Sequence, residues 1–562
     1  MYDNYMSFYG GHDANFCFYD ESKKKFLTVE LEKLIDVKHA TWSYKIPGNH
    51  SFNPAYSLDR ETIWGLLAET LSRQDIPHSF KHLITGSYYE SFKQSEDTRL
   101  VREEIPEPFD FSYWEPHKGH HYAHALGAVA QLPPIKAVVL TVDGGGDDGV
   151  AGMWLLDRSK ESMCHLGYVN DRKYGLGGFF RDASYNVSVV ARNTANFLDL
   201  AGKTMGLSGY GTPSPYVELK DRHQMIYGKL RKRTSFQNEL KTFYRHPTDQ
   251  CITQVTQEKK DWQEDADLAA SIQRESEIRF DEMIEKYFPD FEKHLEEHNG
   301  QLIISGGYAM NILNNKRLEK KYNCKVWVPP NPGDNGLAFG MLIKKLHDDG
   351  VISLWKDRFD NSFFGPRYRD ENLFPEYREM YNATKISVHD IADELKQGKI
   401  IAVMQGTAET GFRALGHRSI LCDPSIVTKE EINKVKRREW YRPFAPVCLW
   451  KHAADWFDVG YVNNYKHMNI AVDVKPEWQG KLHAITHVDG TARLQAVDEP
   501  GFMHDLLTAH RGVLLNTSFN LGGKPICNSI LHALYMLEET GIDTLVIEHN
   551  DELFRFVKWD TA

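Results

Sequence analysis

The sequence predicts an α/β fold. Helical and strand-like patterns alternate along the whole chain of 562 residues, which favours α/β over all-α or all-β architectures. No short-period repeat or low-complexity tract interrupts this alternation, so solenoid and array folds are excluded. At about 150 residues per domain, a chain of this length should form two to four folding units.

Three segments show the alternation most clearly. Residues 136–157 contain two β-branched runs around a Gly/Asp-rich turn, which predicts a β-hairpin. Residues 301–318 predict a buried strand, a Gly-Gly turn and the start of a helix. Residues 387–406 begin with a Ser-x-x-Asp capping signal, place Ile391 and Leu395 on one helix face, and continue past a glycine into an apolar strand.

A domain boundary is predicted within the aromatic and charged segment 354–383. This segment has no sustained period and separates two well-patterned regions. We therefore expect a first domain over 1–355, a linker over 356–383 and a second domain over 384–562.

Composition narrows the class of protein. With 41% hydrophobic and 26% charged residues, the chain is typical of soluble globular proteins. The net charge of −11 provides no global field that would draw it onto nucleic acid or an anionic membrane, although a local basic groove is compatible with it. The seven scattered cysteines form no CxxC pair, which indicates reduced thiols. Without a secretory signal or an apolar stretch of ~20 residues, a cytoplasmic protein away from the membrane is expected.

Two histidines and two aspartates form a candidate metal site. His120 and His124 lie in an Ala/Leu/Val-rich stretch that should be helical, so the i, i+4 spacing puts both on one face, while His121 points away. Asp143 follows an apolar strand and precedes three glycines, and Asp334 lies in a tight turn before a small-residue helix. Such an N/O ligand set fits Fe, Mn, Mg or Zn. Alternatively, the histidines are structural and the aspartates ordinary turn or N-cap residues.

Glycine-rich turns indicate an anion site. The glycines after the 136–142 strand and the Gly-Gly pair after the 301–305 strand both leave backbone N–H groups unhindered, and a helix N-terminus follows the second. Neither is a Walker A or GxGxxG motif. Lys203, in a loop-like stretch, could reach a bound phosphate; alternatively it is a surface lysine. The candidate phosphate-binding residues are Gly144, Gly145, Lys203, Gly306, Gly307 and Asn311.

A basic region occupies 405–445, with eight Lys/Arg against five Asp/Glu. Its arginines stand among Gly, Pro and aromatic residues rather than along an open helix face, a setting typical of arginines that bind planar anions or pair with buried carboxylates. Lys429 and Lys434 are instead expected to be solvated. Turn-like settings further along the chain add more polar residues. The residues favoured here for ligand contact are Arg413, Arg418, Arg442 and Arg493.

These motifs resemble the O-carbamoyltransferase family of the nodulation-protein and antibiotic-tailoring type. The resemblance covers nearly the whole chain, from GHDANFCFYD and ELEKLIDVKH through HHYAHA, VDGGGDDG, GKTMGLSGYG, SGGYAMN and NPGDNG to ETGFRALGHRSILCDP, KRREWYRPFAPV, HVDGTARLQ and LLNTSFN. Where the family usually has Glu-Phe-Gly-Pro-Arg, this chain has Glu-Thr-Gly-Phe-Arg at 409–413, which keeps the arginine. The family's acidic run before the first Lys-His pair is reduced here to Glu30 and Glu32.

The resemblance implies an actin/sugar-kinase-like (duplicated ribonuclease-H-like) N-terminal domain and a YrdC-like C-terminal domain. In such enzymes the YrdC-like domain converts carbamoyl phosphate and ATP to carbamoyl-adenylate, releasing phosphate and pyrophosphate. The first domain then transfers the carbamoyl group to an acceptor hydroxyl and AMP leaves. Activation is needed because carbamate is a poor acyl donor, and a closed path between the domains would protect the labile intermediate from water.

The resemblance also implies residue roles. His120, His124, Asp143 and Asp334 would hold the metal, with Fe(II) expected and Mg or Mn as alternatives. His12 and Lys38 match positions near the acceptor, with His12 the candidate base. The glycine-turn set, with Lys203, would line the nucleotide site. Carbamoyl phosphate and the ATP phosphates would be held by Arg413, Arg418, Lys436, Arg442, Arg493 and Asn520, with Arg413 and Arg442 also catalytic.

The acceptor stays open at this point. A sugar, a hydroxymethylated natural product and a hydroxymethylated nucleobase or nucleotide all fit. One alternative function is threonylcarbamoyl modification of tRNA, which calls for a broad basic surface that is not evident. Another is a non-catalytic nucleotide-binding regulator, which would not need the dense Arg/Lys set. Patterned aromatic stretches are compatible with a homodimer.

Overall fold

The computed structural model of the chain describes residues 4–40, 42, 60–86, 106, 108–192, 194, 196–213 and 262–559. Within these ranges, no helix has both the length and the apolar character needed to cross a bilayer. Six cysteines are described and all are free thiols, as predicted, whereas Cys251 lies outside the described residues.

The first sheet has five strands in the order β3-β2-β1-β4-β5. β1 is antiparallel to β2 and parallel to β4, β2 is antiparallel to β3, and β4 is parallel to β5. Alternate side chains of β1 and β2 pack into two different apolar clusters, one on each face, which explains why both strands are wholly buried. The strands are β1 (Tyr5–Tyr9), β2 (Asn15–Asp20), β3 (Lys25–Glu30), β4 (Ser79–Gly86) and β5 (Asp110–Pro116).

The second sheet repeats this topology. Its order is β8-β7-β6-β9-β10, with β6 antiparallel to β7, β7 antiparallel to β8, β6 parallel to β9 and β9 parallel to β10. The repetition confirms the predicted duplicated ribonuclease-H-like, actin/sugar-kinase-like architecture. The strands are β6 (Lys136–Gly146), β7 (Gly149–Asp157), β8 (Ser162–Val169), β9 (Gln301–Ser305) and β10 (Lys325–Trp327).

The helices of this region include two that cross at glycines. α3 and α10 approach so closely that a side chain on Gly340 would collide with the carbonyl oxygen of Ala123, and Gly127 faces the Gly340 backbone. The helices are α1 (Leu31–Ile35), α2 (Arg60–Arg73), α3 (His120–Gln131), α4 (Leu176–Ser184), α5 (Ser188–Arg192), α6 (Leu200–Ser208), α7 (Trp262–Tyr287), α8 (Phe291–Glu297), α9 (Ile312–Tyr322) and α10 (Leu337–Asp348).

The C-terminal region has the α/β architecture expected of the predicted YrdC-like domain. Its eight-stranded mixed sheet has the order β11-β21-β20-β12-β13-β19-β14-β18, and β15, β16 and β17 form a separate small sheet. The strands are β11 (Thr384–Lys385), β12 (Ile401–Met404), β13 (Arg418–Cys422), β14 (Ala445–Leu449), β15 (Phe457–Asp458), β16 (Val472–Val474), β17 (Thr491–Ala492), β18 (Gln495–Val497), β19 (Leu514–Ser518), β20 (Thr544–His549) and β21 (Glu552–Phe556).

The helices of the C-terminal region are short, and apolar residues of α12 and α16 join a core cluster with the large sheet. α12 begins with a capping box formed by Ser387 and Asp390. The helices of the C-terminal region are α11 (Phe374–Met380), α12 (Val388–Lys396), α13 (Lys429–Lys436), α14 (Trp450–Trp456), α15 (Pro476–Gln479), α16 (Phe502–His510) and α17 (Ile530–Glu539).

The three segments singled out in the sequence have the predicted structures. The hairpin is β6–β7, the strand, turn and helix are β9 and α9, and the capped helix and strand are α12 and β12. Within the segment 356–383, the Tyr368 hydroxyl lies 3.0 Å from the backbone oxygen of Met404 and 2.8 Å from that of Glu548. This segment is therefore packed against the C-terminal sheet.

Candidate active site

One cavity of about 1830 Å³ lies between the N-terminal and C-terminal regions. It brings together most of the residues that the sequence singles out, from both halves of the chain. Its lining includes His12, Lys38, Asp143, Gly144, Gly145, Lys203, Gly307, Asn311, Asp334, Arg413, Lys436, Arg442, Arg493 and Asn520.

The four predicted metal ligands converge next to this cavity, which Asp143 and Asp334 line, whereas His120 and His124 are not among its lining residues. His120 and His124 lie on the first turns of α3, Asp143 near the end of β6, and Asp334 in the turn before α10. The Nε2 atoms of the two histidines are 3.1 Å apart, and the Nε2 of His124 lies 3.4 Å from Asp143 Oδ2 and 3.5 Å from Asp334 Oδ1. One ligand atom from each of the four residues lies within 4.8 Å of the others. We call these four residues the ligand cluster.

The cluster is fixed by backbone and hydroxyl groups around it. The N–H groups of Gly144 and Gly307 donate to the two oxygens of Asp143 at 2.5 and 2.6 Å, and the Tyr9 hydroxyl donates to Asp334 Oδ2 at 2.7 Å. These bonds fix both carboxylates beside the imidazoles. The aspartates are therefore oriented before any ligand arrives.

The turn between β6 and β7 also holds the start of α3. Asp147 accepts hydrogen bonds from the N–H groups of Gly119 and His120 at 2.9 and 2.7 Å, and Asp148 accepts from the His121 N–H at 3.0 Å. Because Gly119 at the N-cap has no side chain, these aspartates cap the helix in its place. They thereby tie the histidines to the hairpin that carries Asp143.

His121 takes no part in the cluster, as predicted. It is fully buried, with Nδ1 2.9 Å from Thr141 Oγ1 and Nε2 3.2 Å from the Gly149 backbone oxygen. Burial lowers its pKa to about 4. It is therefore a neutral core histidine.

The histidines and aspartates of the ligand cluster change one another's pKa values. Burial lowers the pKa of His124, but hydrogen bonds and charges from Asp143 and Asp334 outweigh it and raise that pKa to about 9. Burial raises the pKa of Asp143, but its contacts with the histidines lower that pKa well below the usual range. Two imidazole nitrogens and two carboxylate oxygens are a donor set that fits a divalent Fe, Mn or Zn ion.

His12 lies at the cavity beside the cluster. Its Nε2 is 3.1 Å from Asp334 Oδ2 and its Nδ1 is 3.0 Å from Asp13 Oδ2, so the ring is held between two carboxylates. Burial lowers the pKa of His12, but the charges of Asp334 and Asp13 raise it to about 9.

A second charged group adjoins His12. His39 Nδ1 lies 2.6 Å from Asp13 Oδ1 and His39 Nε2 lies 3.3 Å from Asp199 Oδ1, while Lys38 forms an ion pair with Asp199. Burial lowers the pKa of His39, but Asp13 and Asp199 raise it to about 10. Burial raises the pKa of Glu32, which accepts the His39 N–H, to about 7. Lys38 therefore reaches the cavity already paired.

A group of cationic side chains of the C-terminal region also lines the cavity, and we call it the basic wall. Burial and the charges of Arg413, Arg438 and Arg442 lower the pKa of Arg493 far below the usual range. Burial and Arg442 lower the pKa of Arg413 to about 10. The members are Arg413, Lys436, Arg438, Arg442 and Arg493.

Few carboxylates balance the positive charge of the basic wall. Glu439 lies 3.5 Å from Arg442 and also accepts a contact at 2.5 Å from Lys203, so Lys203 is a buried paired residue and not a surface lysine. Lys436 is bound by uncharged oxygens, those of Ser518 and the Asn520 side chain. The wall therefore keeps an excess of positive charge facing the cavity.

Arg418 is not part of the basic wall, contrary to the prediction. Its guanidinium is fully buried and donates to the backbone oxygens of Gln405, Gly406 and His417 and to the Asn528 side chain, at 2.7–3.3 Å. These bonds use its donors inside the domain. Arg418 is thus placed to hold two neighbouring chain segments together.

Several predicted phosphate-binding groups are already engaged. The N–H of Gly306 donates to the Pro332 oxygen at 2.8 Å, and Gly306 is not among the residues lining the cavity. The N–H groups of Gly144 and Gly307 hold Asp143. These glycines therefore shape the ligand cluster instead of offering free donors to a phosphate.

Gly145 and Asn311 do line the cavity. The Asn311 side chain accepts from the Asn314 N–H at 3.0 Å as the N-cap of α9, and it also bonds Gln273. Its position beside the cavity agrees with the prediction, although its oxygen is used by the helix.

Sequence reasoning missed Asp13, His39, Asp199 and the capping pair Asp147 and Asp148. The sequence shows an Asp-Asp pair after the glycines that follow Asp143, but only the fold shows that these carboxylates reach α3. Arg438 and Glu439 stand in the basic segment that was recognised, without any local sign of which side chains face inward.

Comparison with known proteins finds the same protein family in the N-terminal and the C-terminal region. The model of the carbamoyltransferase N-terminus matches residues 75–343 and that of the carbamoyltransferase C-terminus matches residues 392–551. An uncharacterized protein of Methanocaldococcus jannaschii is 31% identical over 477 residues, covering 80% of this chain and 75% of that protein. Nodulation protein NolNO of Sinorhizobium fredii is 29% identical, covering 76% of this chain and 62% of that protein.

Nodulation protein U of Rhizobium tropici is 35% identical over 234 residues, covering 40% of this chain and 39% of that protein. Among solved structures, full-length HypF in the phosphate- and nucleotide-bound form is similar at a TM-score of 0.29 and 11% identity, over 61% of this chain and 46% of that chain. The family models and the relatives establish that the chain is a member of the carbamoyltransferase family.

Proposed function

We propose that this carbamoyltransferase is ATP-dependent and transfers the carbamoyl group of carbamoyl phosphate to an acceptor hydroxyl through carbamoyl-adenylate. One observation supports this most: a single cavity is lined both by the aspartates of a buried N/O ligand cluster and by a basic wall with few balancing carboxylates. Carbamoyl phosphate and ATP are both polyanions, which suits the wall. The family resemblance implies the adenylate route.

The proposed reaction consists of adenylate formation followed by carbamoyl transfer. Water cleaves carbamoyl phosphate to carbamate and phosphate, and a carbamate oxygen attacks the α-phosphorus of ATP with loss of pyrophosphate. The acceptor oxygen then attacks the carbamoyl carbon, the bond to AMP breaks, and the hydroxyl proton is taken up by a base. The products are an O-carbamate, AMP, phosphate and pyrophosphate.

The basic wall would serve the first half of this reaction. Arg413, Arg442 and Arg493 surround a space in which positive charges repel one another, so binding phosphate groups relieves that repulsion. The same side chains would neutralise the charge that develops as pyrophosphate leaves. Lys436 and Asn520, which are bonded to each other, would complete this contact.

The ligand cluster would serve the second half. His120, His124, Asp143 and Asp334 would hold a divalent ion, which would supply positive charge near the phosphate of the departing AMP. Fe(II) is the ion we propose, by resemblance. Because the four donors are buried and pre-oriented, the chain itself fixes where that charge lies.

His12 and Lys38 would lie at the acceptor. The His12 ring reaches the cavity between Asp13 and Asp334 and would receive the hydroxyl proton. These carboxylates raise the pKa of His12 to about 9, so a base role requires their charges to be engaged by other partners in the complex. Lys38, paired with Asp199, would orient the acceptor.

Pyrophosphate release tests the proposal. The full-length protein, supplied with Fe(II), ATP and carbamoyl phosphate but no acceptor, should release pyrophosphate only when carbamoyl phosphate is present. Release with threonine and bicarbonate in place of carbamoyl phosphate would instead support a threonylcarbamoyl enzyme. Carbamoylation of an acceptor without any pyrophosphate would refute the ATP dependence.

A further inference from the structure

A buried ion pair joins the N-terminal region to the loop that carries Arg413. Glu30, at the end of β3, and Lys33, on α1, are paired with side chains only 3% and 5% exposed. Lys33 Nζ also donates to the backbone oxygens of Glu409 and Gly411 at 2.7 and 3.1 Å. The ammonium group thus binds one carboxylate of its own region and two carbonyls of the other.

Glu30 makes the reciprocal contacts. Its Oε1 accepts from the Gly411 N–H at 2.9 Å and from the Asn335 side-chain amide at 3.1 Å. Asn335 directly follows the cluster residue Asp334 in the same turn. One carboxylate oxygen therefore links the Arg413 loop to the turn that supplies a ligand.

The loop packs directly on that turn. Gly411 has a φ of +92°, and a side chain there would come within 3.0 Å of the Pro330 oxygen and 3.3 Å of the Asn335 amide. A residue with a side chain would therefore be strained and would hold the two segments apart. Contact at this point requires a glycine.

The loop is also rigid internally. The buried Glu409 carboxylate accepts from the N–H groups of Leu415, His417 and Arg418 at 2.8, 2.8 and 3.0 Å. The segment 409–418 is thereby closed on itself around one carboxylate. A displacement of Gly411 would move Arg413, two residues further on, with it.

We propose that Glu30 and Lys33 are positioning residues that clasp the 409–418 loop onto the Asp334 turn and so set the distance between the basic wall and the ligand cluster. A buried ion pair contributes little net stability because desolvation offsets its attraction, so the geometry it fixes is its main contribution. The functional part of this inference rests on the proposed function. The structural part, the clasp, is tested without turnover.

Three variants separate the charges from the shape. Glu30→Gln keeps an oxygen that can accept from Gly411 but leaves Lys33 without a counter-charge. Lys33→Met leaves Glu30 without a counter-charge. The double variant removes both charges. Lys23→Met is the matched control, because it also removes a lysine from an ion pair in this region, with Asp75, but at a site 40% exposed for the lysine.

Hydrogen exchange of the full-length, Fe(II)-loaded protein is the first measurement. Each single variant should accelerate amide exchange in peptides covering 409–418 and 330–336 by roughly tenfold or more, because local opening becomes easier. The double variant should recover part of the protection, since no unpaired buried charge remains. Unchanged exchange in both segments in the single variants would overturn the clasp.

Kinetics of pyrophosphate release are the second measurement. A displacement of Arg413 by about 1 Å should raise the KM for carbamoyl phosphate ~10-fold or more, with the double variant intermediate. Bound iron should stay at the wild-type level in every variant. Faster exchange with an unchanged KM would overturn the positioning role, whereas absence of release from the wild type would refute the proposed function and leave the exchange result standing.

Discussion

The ligand cluster and the basic wall differ in how their buried charges are balanced. In the ligand cluster, the imidazole of His124 lies within 3.5 Å of oxygens of Asp143 and Asp334, so opposite charges are already close together. In the basic wall, the charges that act on Arg493 from Arg413, Arg438 and Arg442 are all positive. The charges of the cluster are therefore balanced among its own residues, whereas the wall keeps an excess of positive charge.

The largest effect should come from breaking the ligand cluster. Asp143→Ala or His120→Ala should abolish metal binding and reduce carbamoyl transfer below about 1% of wild type, since even residues behind the ligands cost 10–100-fold. Pyrophosphate release should stay largely intact, because the wall is untouched. Metal content per folded protein and release assays measure the two effects.

The control for this experiment lies on the same helix. His121→Gln changes a histidine whose nitrogens face Thr141 and Gly149 instead of the cluster, so its metal content should equal that of wild type. Loss of pyrophosphate release in Asp143→Ala would contradict the division of labour between the two sides.

Removing a cation from the basic wall should impair pyrophosphate release and leave metal binding intact. Arg442→Ala should lower pyrophosphate release about 100-fold while metal content is unchanged, because one charge-assisted contact at a developing negative charge is typically worth ~10²-fold. Lys434→Ala is the control, since Lys434 is an exposed residue of α13 outside the cavity. Equal losses in the two variants would show that the wall acts only through its overall charge.

The one carboxylate that we find in the wall should matter for stability. Burial raises the pKa of Glu439, but Lys203 and Arg442 lower it to about 2. Because the folded value lies below the usual 4.5, its contribution is full above about pH 4.5 and is lost as pH falls toward 2. Glu439→Gln should therefore reduce stability by up to about 3 kcal/mol at pH 7.

Urea unfolding of both proteins at pH 7, 5 and 4 measures this difference. It should be constant from pH 7 to 5 and smaller at pH 4. A difference that grows as pH falls would mean that Glu439 is not held in its charged form by the wall.

The smallest effect compares two arginines. Arg493→Met should raise the melting temperature of the ligand-free protein by about 2 °C, because it removes a buried charge among like charges. Arg418→Met should lower the melting temperature instead, because it leaves several backbone carbonyls without donors. Thermal melts followed by circular dichroism distinguish the two, and a similar loss in both variants would show that Arg493 is as well partnered as Arg418.

Much of the ligand cluster was predictable because its signals are local. The i, i+4 spacing of His120 and His124 on a helix and the position of Asp143 at a strand end follow from periodicity alone. The duplicated fold followed from family resemblance and is visible in the repeated strand order.

The basic wall was harder to predict. Arg413 and Arg418 stand five residues apart in one glycine-rich segment, yet one faces the cavity and the other donates to backbone carbonyls. The difference depends on which carbonyls the fold brings near, a non-local property. For the same reason, the sequence does not show that the N–H groups of Gly144 and Gly307 are used to hold Asp143.

The glycine crossing of α3 and α10 has a consequence for how this chain can change during evolution. Two cluster histidines are on α3, and Asp334 lies immediately before α10, so the spacing of these helices sets the width of the cluster. Even a single methyl group on Gly340 would clash with the Ala123 carbonyl and force the helices apart. The ligand geometry is therefore tied to the helix spacing, and a substitution of Gly340 would change both together.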